Sequence, residues 1–161
     1  MKKATAAVLI FSMLFICSCN NGSKPQEICI NRVFCAKMTL EYNETAFTAD
    51  FTCDENGCSA VFLSPDELKG FTVSTTGSRF TLSLDGLEQQ VTENEQQTIV
   101  IGAVYAAINS AGQSAQRLEN GYQISGTNKY GRYIMNIDED FTPAFIEYEE
   151  CGITVKFTAD T

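Results

Sequence analysis

The 161-residue chain contains no histidine, no tryptophan and only three prolines. Without histidine, Ser-His-Asp and Cys-His catalysis, histidine metal sites and an imidazole pH switch are excluded. Basic residues are also scarce, because 11 Lys and Arg stand against 20 Asp and Glu, for a net charge of -9. This balance argues against nucleic-acid binding, which needs a basic patch to displace phosphate counterions.

Several other chemical signatures are missing from the sequence. It has no Gly-rich phosphate loop and no C-x-x-C pair, and its cysteine spacings fit no zinc-finger pattern. The acidic residues at 138–140 and 147–150 lack the spacing of a calcium loop and are interpreted as solvated surface. We therefore expect a protein that is not an enzyme and that uses no metal and no cofactor.

The first 18 residues have the pattern of an export signal. Two lysines at residues 2–3 precede an uninterrupted apolar run over residues 4–16, which is shorter than the about 20 residues of a membrane span. The run ends in Ile16-Cys17-Ser18-Cys19, which resembles the lipobox of bacterial lipoproteins. The resemblance implies cleavage after Ser18 and a diacylglycerol on the sulfur of Cys19.

A lipid on Cys19 would decide where the mature protein is found. Two acyl chains are enough for stable anchoring, so we expect an exported protein held on the outer face of the cell membrane. Residues 20–26 are polar and turn-rich, and a lipid-anchored tether is expected over residues 19–28. A single domain is expected over residues 29–161, because the remaining length suits one domain.

Most of this domain alternates between apolar and polar residues with a period of two, the pattern of half-buried strands. The segments with this pattern lie near residues 34–42, 47–53, 58–63, 71–75, 80–84, 122–124, 133–137, 145–148 and 153–157. One stretch differs, because apolar residues at 101, 104, 105 and 108 repeat with helical spacing. This spacing predicts a helix near residues 98–111.

The numbers of strands and helices together suggest an architecture. An antiparallel sheet with one wet face must cover its other face, and one helix cannot cover a flat sheet of about nine strands. We therefore expect an α+β fold in which a strongly curved antiparallel sheet, a half-barrel of about nine strands, wraps around one main helix. The periodicity leaves open whether the space between sheet and helix is hollow or filled.

Cys53 and Cys58 flank the sequence DENG, which predicts a hairpin turn. A four-residue loop would place the two cysteines directly opposite each other, and a two-residue turn would place them diagonally. A disulfide is sterically possible in both registers, and the alternative is a pair of buried free thiols. Cys29 and Cys35 could form a second bridge, which would leave Cys151 unpaired.

The segment Ser64–Phe71, followed by Arg79–Leu82 and by Gly86-Leu87, resembles exported lipoproteins of Gram-positive anaerobes. Those proteins are in turn similar to the lipoprotein-carrier (LolA/LolB-like) superfamily, and the resemblance covers residues 33–158. It implies a half-barrel with a helical lid, whose apolar hollow holds acyl chains in the characterised carriers. No lipid-contacting residue of the carriers can be matched to an individual position of this chain.

Two hypotheses for function follow. The first is a non-catalytic surface lipoprotein that binds a lipid, an acyl chain or another apolar ligand in the hollow between sheet and helix. The residues expected to line such a hollow are Phe47, Phe51, Phe80, Leu82, Tyr105 and Ile108. The alternative is an accessory lipoprotein with a filled core that binds a protein partner through its sheet surface.

Overall fold

The structure is a computed structural model that describes residues 26–92, 96–110 and 114–159. The expected signal peptide (residues 1–18) and Cys19 lie outside the described residues. Twelve strands and one α-helix are present in the described part. They are β1 (Gln26–Glu27), β2 (Phe34–Tyr42), β3 (Thr45–Cys53), β4 (Cys58–Ser64), β5 (Thr72–Thr76), β6 (Arg79–Leu84), β7 (Leu87–Val91), α1 (Gln96–Ile108), β8 (Ser114–Leu118), β9 (Gly121–Asn128), β10 (Gly131–Ile137), β11 (Pro143–Tyr148) and β12 (Ile153–Ala159). Short 3-10 turns lie at Asp66–Leu68 and Glu149–Cys151.

All twelve strands belong to one antiparallel sheet, in the order β1-β8-β9-β10-β11-β12-β2-β3-β4-β5-β6-β7. The sheet consists of two runs of consecutive hairpins, β2 to β7 and β8 to β12, joined where β12 pairs with β2. Because β7 lies at one edge and β8 lies next to the other, the connection between them must cross the sheet. The helix α1 lies within this connection, so chain topology places it over the inner face.

The sheet curves around α1. On one side the helix contacts β4 and β5, and on the other side it contacts β9 and β11. The strands β12, β2 and β3 separate these two groups in the sheet. A single helix reaches both groups because the twisted sheet bends toward it on both sides.

The expectation of an α+β half-barrel was wrong, whereas the expected count of about nine strands is roughly compatible with the twelve strands of the described residues. The fold is mostly antiparallel sheet, and the sheet is broad, curved and open, with twelve strands and the edges β1 and β7. The period-two pattern missed β1, β7 and β8. These strands carry few buried residues: both residues of β1 and four of five in β7 are exposed, so no apolar face marks them in the sequence.

One hydrophobic core fills most of the space between the sheet and the helix. In β2 the residues Phe34, Ala36, Met38 and Leu40 are buried, and the residues between them are exposed. Buried side chains from the sheet and from α1 join a single cluster. The helix begins and ends slightly earlier than the range 98–111 expected from its apolar spacing.

The N-terminal end of the described chain belongs to this sheet. Gln26 pairs with Ala115 and Glu27 pairs with Ser114 in β8. Ile30 is buried in the core a few residues later. Residues 26–28 of the expected tether therefore lie against the domain, and the part before Gln26 lies outside the described residues.

Candidate ligand-binding cleft

An apolar cleft of about 240 Å³ lies between α1 and the part of the sheet formed by β2, β3, β4 and β5. The helix and the sheet do not close completely against each other here. The lining residues are Leu40, Tyr42, Phe47, Phe62, Leu68, Phe71, Val73, Val100 and Ile101. The helix supplies the last two, and the sheet with its 3-10 turn supplies the other seven.

The lining divides into a floor and a rim according to burial. Five lining residues are buried and form the floor: Leu40, Phe62, Val73, Val100 and Ile101. Four are half-buried and form the rim: Tyr42, Phe47, Leu68 and Phe71. The cleft therefore runs from the solvent boundary down into the core of the domain.

Three phenylalanine rings form one wall of the cleft. The ring centroids of Phe47 and Phe62 lie 6.1 Å apart, and those of Phe62 and Phe71 lie 6.3 Å apart. The backbone holds Phe62 beside Phe71, because the amide of Phe62 donates a 2.8 Å hydrogen bond to the carbonyl of Phe71. The amide of Gly70 donates to the carbonyl of Phe62 at 2.8 Å, which folds the 3-10 turn and its Leu68 back against β4.

The cleft is almost free of polar groups. Tyr42 is the one lining residue whose side chain carries a polar atom, and no charged side chain lines the cleft among the described residues. The described residues also contain no group of three or more Cys, Asp or Glu side chains placed to hold a metal ion. This lining suits contact with hydrocarbon.

The six residues that were expected to line a hollow lie in different parts of the structure. Phe47 lies in the rim of the cleft. Three are fully buried in the packed core, namely Phe51, Phe80 and Ile108. Leu82 and Tyr105 are half-buried and pack against that core. Five of the six thus pack in or against the core, and only Phe47 borders the cleft.

Sequence reasoning missed most of the lining residues. Period-two alternation identifies inward-facing residues, but it does not show which of them α1 leaves uncovered. One sequence feature could have indicated the position of the cleft, namely the break between two strands at Asp66–Leu68 and Gly70. Such a break marks a place where the sheet surface can open.

A larger concavity of about 390 Å³ lies on the outer face of β9, β10 and β11. Its lining includes the exposed ion pair between Arg132 and Glu150, with Nε and Oε1 2.8 Å apart. This contact raises the pKa of Arg132 above its ordinary value, chiefly through the hydrogen bond to Glu150. An exposed ion pair and open polar strands bury little surface, so the apolar cleft is the better candidate site.

The structure joins Cys53 and Cys58 in a disulfide, with 4.1 Å between their Cα atoms. The two residues lie directly opposite each other in the β3–β4 hairpin. The carboxylate of Asp54 accepts hydrogen bonds from the amides of Asn56 at 2.7 Å and Gly57 at 2.9 Å. These two bonds lower the pKa of Asp54.

The other described cysteines are free thiols. Cys29 and Cys35 are exposed, and Cys151 is half-buried. The Cys151 thiol donates a hydrogen bond of 2.9 Å to the carbonyl of Tyr130. None of the three lines the cleft.

No protein-family model matches the chain, and no curated protein matches it. Its structure is similar to a LolA superfamily protein from Nitrosomonas europaea, at 9% identity and a TM-score of 0.42, over 78% of this chain and 84% of that one. It is also similar to an uncharacterized conserved protein from Thermus thermophilus, at 13% identity and a TM-score of 0.45, over 80% and 82% of the two chains.

A third similar structure is a putative outer membrane lipoprotein-sorting protein domain from Vibrio parahaemolyticus, at 8% identity and a TM-score of 0.40, over 79% of this chain and 83% of that one. Among the described residues, no helix is both long and apolar enough to cross a bilayer.

Proposed function

We propose that the protein is a non-catalytic binding protein that holds an acyl chain or another apolar ligand in the cleft between α1 and β2–β5. The cleft itself carries the proposal: about 240 Å³ of space lined by hydrocarbon, with one tyrosine hydroxyl at the rim. This volume exceeds the roughly 150 Å³ of an apolar cavity that binds benzene. It lies just below the about 300–1,000 Å³ of typical small-molecule pockets.

The position of the cleft favours binding energetically. Its floor continues the hydrophobic core, while its half-buried rim leaves Phe47, Leu68 and Phe71 partly in contact with water. A hydrocarbon ligand would remove this apolar surface from water, which is favourable by about 25 cal/mol for each Å² buried. The same lining supplies no carboxylate, thiol or amine for chemistry, which supports binding without catalysis.

The first experiment is native mass spectrometry of the protein after gentle extraction, with binding of the neutral fluorophore N-phenyl-1-naphthylamine as a second measurement. We expect co-purified lipid and saturable fluorophore binding by the wild type. Val100→Trp places a large ring on the floor of the cleft and should weaken fluorophore binding at least tenfold. Phe47→Trp, at the half-buried rim, is a second blocking variant that disturbs the core less.

The matched control is Leu63→Trp. Leu63 follows Phe62 in β4 but lies on the opposite face of the sheet and is 36% exposed, so this ring cannot enter the cleft. It should leave lipid content and fluorophore affinity unchanged. Folding of each variant is checked by its thermal midpoint. The proposal would be contradicted if no lipid co-purified and if neither blocking variant changed the affinity for the fluorophore. The cleft would then not be a binding site.

We also propose that Cys19 carries the lipid anchor and that the mature protein sits on the outer face of the cell membrane. The support is the lipobox-like Ile16-Cys17-Ser18-Cys19 after an apolar run of signal-peptide length. Strand β1 begins at Gln26, seven positions after Cys19 in the sequence. A bound acyl ligand could therefore reach the cleft from a nearby bilayer.

A second candidate function is protein binding along the β7 edge of the sheet. Within the described part of the chain, β7 pairs with β6 and with no strand on its other side. Leu87 is 79% exposed and lies directly opposite Leu84, which is 41% exposed. An open edge beside exposed leucines is a surface onto which a partner strand can add. Leu87→Lys separates the two functions, because it should abolish partner binding at this edge and leave fluorophore binding unchanged.

A further inference from the structure

We infer that β7 pairs antiparallel with β7 of a second copy of this chain, so that two sheets join edge to edge in a two-fold symmetric dimer. This inference rests on the edge-binding function proposed above and names the partner. Three observations support it: the backbone groups that β7 leaves unpaired, the absence of residues that protect an edge, and the match of the five-residue strand to its own reverse.

The hairpin between β6 and β7 fixes which backbone groups point outward. Leu84 and Leu87 flank a two-residue turn whose φ angles of 51° and 81° are those of a tight hairpin turn. The residues that flank such a turn form a hydrogen-bonded pair, and hydrogen-bonded and non-hydrogen-bonded pairs then alternate along the two strands. The amides and carbonyls of Glu88 and Gln90 therefore point away from β6, towards the open side of β7.

The β7 edge lacks the features that usually block strand addition. Natural edge strands are protected by proline, by lysine or by bulges. The sequence of β7 is LEQQV, its first four residues are exposed, and it pairs with β6 without a shift in register. The opposite edge strand, β1, has only two residues and offers too little length for pairing. Strand addition is therefore expected at β7.

The sequence of β7 selects one register for pairing with itself. Because Glu88 and Gln90 carry the outward backbone groups, the paired strands can be centred on Glu88, Gln89 or Gln90. Centring on Gln89 pairs the whole of Leu87–Val91, whereas the other two registers pair only three of the five residues. Centring on Glu88 also places two carboxylates directly opposite each other, which is unfavourable.

The register centred on Gln89 brings compatible side chains together. Glu88 lies opposite the partner's Gln90, whose side-chain amide can donate a hydrogen bond to the carboxylate, and the two-fold symmetry repeats this pair. Leu87 lies opposite the partner's Val91, which belongs to the hydrophobic core. Leu87 is 79% exposed in the single copy, so pairing gives it an apolar surface to pack on.

The small size of this contact predicts a weak dimer. Each copy contributes one strand of five residues, which buries less than the about 1,000 Å² of a stable interface. The net charge of -9 adds repulsion between the copies. Salt screens this repulsion, so the dimer should form more readily at about 0.15 M salt than at about 0.01 M.

The first test is sedimentation velocity of the detergent-solubilised full-length protein, under reducing conditions, from about 1 to 500 µM. We expect a monomer–dimer equilibrium with a dissociation constant between about 10 and 200 µM. Glu88→Pro should abolish it, because proline removes the outward amide of Glu88 but no hydrogen bond to β6. The matched variant Glu88→Gln keeps this amide and should dimerise at least as well as the wild type.

Two results of this experiment would overturn the inference. One is a wild-type protein that stays monomeric over the whole concentration range. The other is a Glu88→Pro variant that dimerises like the wild type, since its dimer could not use the β7 edge. The thermal midpoint of each variant checks that it is folded.

Cysteine cross-linking tests the register. Gln89 is its own partner across the two-fold axis, in a non-hydrogen-bonded pair with Cα atoms about 4.5 Å apart, within reach of a disulfide. In a Cys29→Ala/Cys35→Ala background, Gln89→Cys should form a disulfide-linked dimer at least tenfold faster than Gln90→Cys, whose two copies lie about 7–8 Å apart along the diagonal. Faster cross-linking of Gln90→Cys or of Glu88→Cys would overturn the inferred pairing.

A peptide separates this inference from the edge-binding function on which it rests. A labelled peptide of residues 86–92, GLEQQVT, presents the same strand without the rest of the domain, and its binding is followed by fluorescence anisotropy up to about 1 mM protein. If the protein stays monomeric but binds the peptide, and Glu88→Pro does not bind it, the edge accepts strands and only the second copy is excluded as partner. If the protein neither dimerises nor binds the peptide, the edge-binding function fails as well.

Discussion

The hydroxyl of Tyr148 donates a hydrogen bond of 2.9 Å to the carbonyl of Ala103, which ties β11 to the middle of α1. Tyr148 is fully buried, and the side-chain amide of Asn128 donates to the same hydroxyl at 2.7 Å. The cleft lies on the other side of α1, towards β4 and β5. This hydrogen bond therefore holds the helix on the side away from the cleft.

Removing this hydroxyl should destabilise the protein. Tyr148→Phe removes two hydrogen bonds, one to the carbonyl of Ala103 and one from the half-buried amide of Asn128. We expect a loss of about 1–3 kcal/mol in the free energy of unfolding. The control is Tyr133→Phe. Its ring centroid lies 5.5 Å from that of Tyr148, and its hydroxyl is buried with no hydrogen-bond partner among the described residues. This control should be neutral or stabilising in urea unfolding, and equal losses in both variants would contradict the assignment.

Tyr148 should also make stability depend on alkaline pH. Burial disfavours the phenolate and raises the pKa of Tyr148 above its ordinary value. Above about pH 10 the unfolded chain releases this proton while the folded chain keeps it, so the unfolded state binds fewer protons and stability falls as pH rises. Urea unfolding between about pH 9 and 11 should show a smaller decline for Tyr148→Phe than for the wild type. Equal declines in stability for the wild type and Tyr148→Phe would show that Tyr148 does not cause the decline.

The packing of α1 is tested by a matched pair of isoleucines. Ile108 is fully buried at the end of the helix, whereas Ile134 is 39% exposed on the outer face of β10. Ile108→Ala should cost about 2–5 kcal/mol, because it leaves a cavity in the core. Ile134→Ala deletes the same atoms and should cost less than about 1 kcal/mol. Similar small losses for the two variants in urea unfolding would mean that α1 does not pack on the sheet.

The disulfide of the β3–β4 hairpin should make a modest contribution to stability. Cys53 and Cys58 are separated by five positions, and closing so short a loop in the unfolded chain stabilises the folded state by about 2 kcal/mol. The double variant Cys53→Ala/Cys58→Ala should lose about this amount in urea unfolding. The exposed pair Cys29→Ala/Cys35→Ala is the control and should change stability little. A loss confined to the control would show that the stabilising cysteines were misassigned.

The lipid anchor is tested with the two cysteines at the end of the signal. Cys19→Ser should remove the protein from the detergent phase in phase partitioning, or leave it unprocessed at about the precursor mass. Cys17→Ser should partition like the wild type, because Cys17 would place Ile16 where the lipobox needs a small residue. Identical behaviour of the two variants would exclude Cys19 as the lipidated residue.

The sequence by itself determined the parts of this protein that depend on local pattern. Strands with one buried face, such as β2 and β3, show a period of two because alternate side chains point to opposite faces. Ile101, Val104 and Ile108 recur at helical spacing, and all three lie in α1 (Gln96–Ile108). The DENG segment identified the β3–β4 hairpin, since a turn depends on neighbouring residues.

Only the tertiary structure decided the strand count, the openness of the sheet and the position of the cleft. The edge strand β7, and β8 next to the other edge, carry few buried residues, so no apolar face marks them in the sequence. The path of α1 across the sheet determines which inward residues it covers: Phe51 and Phe80 lie in the packed core, while Phe47 and Phe71 border open space. All four have the same inward-facing pattern in the sequence. Periodicity along the chain does not show where the helix stops covering the sheet, because that depends on three-dimensional packing.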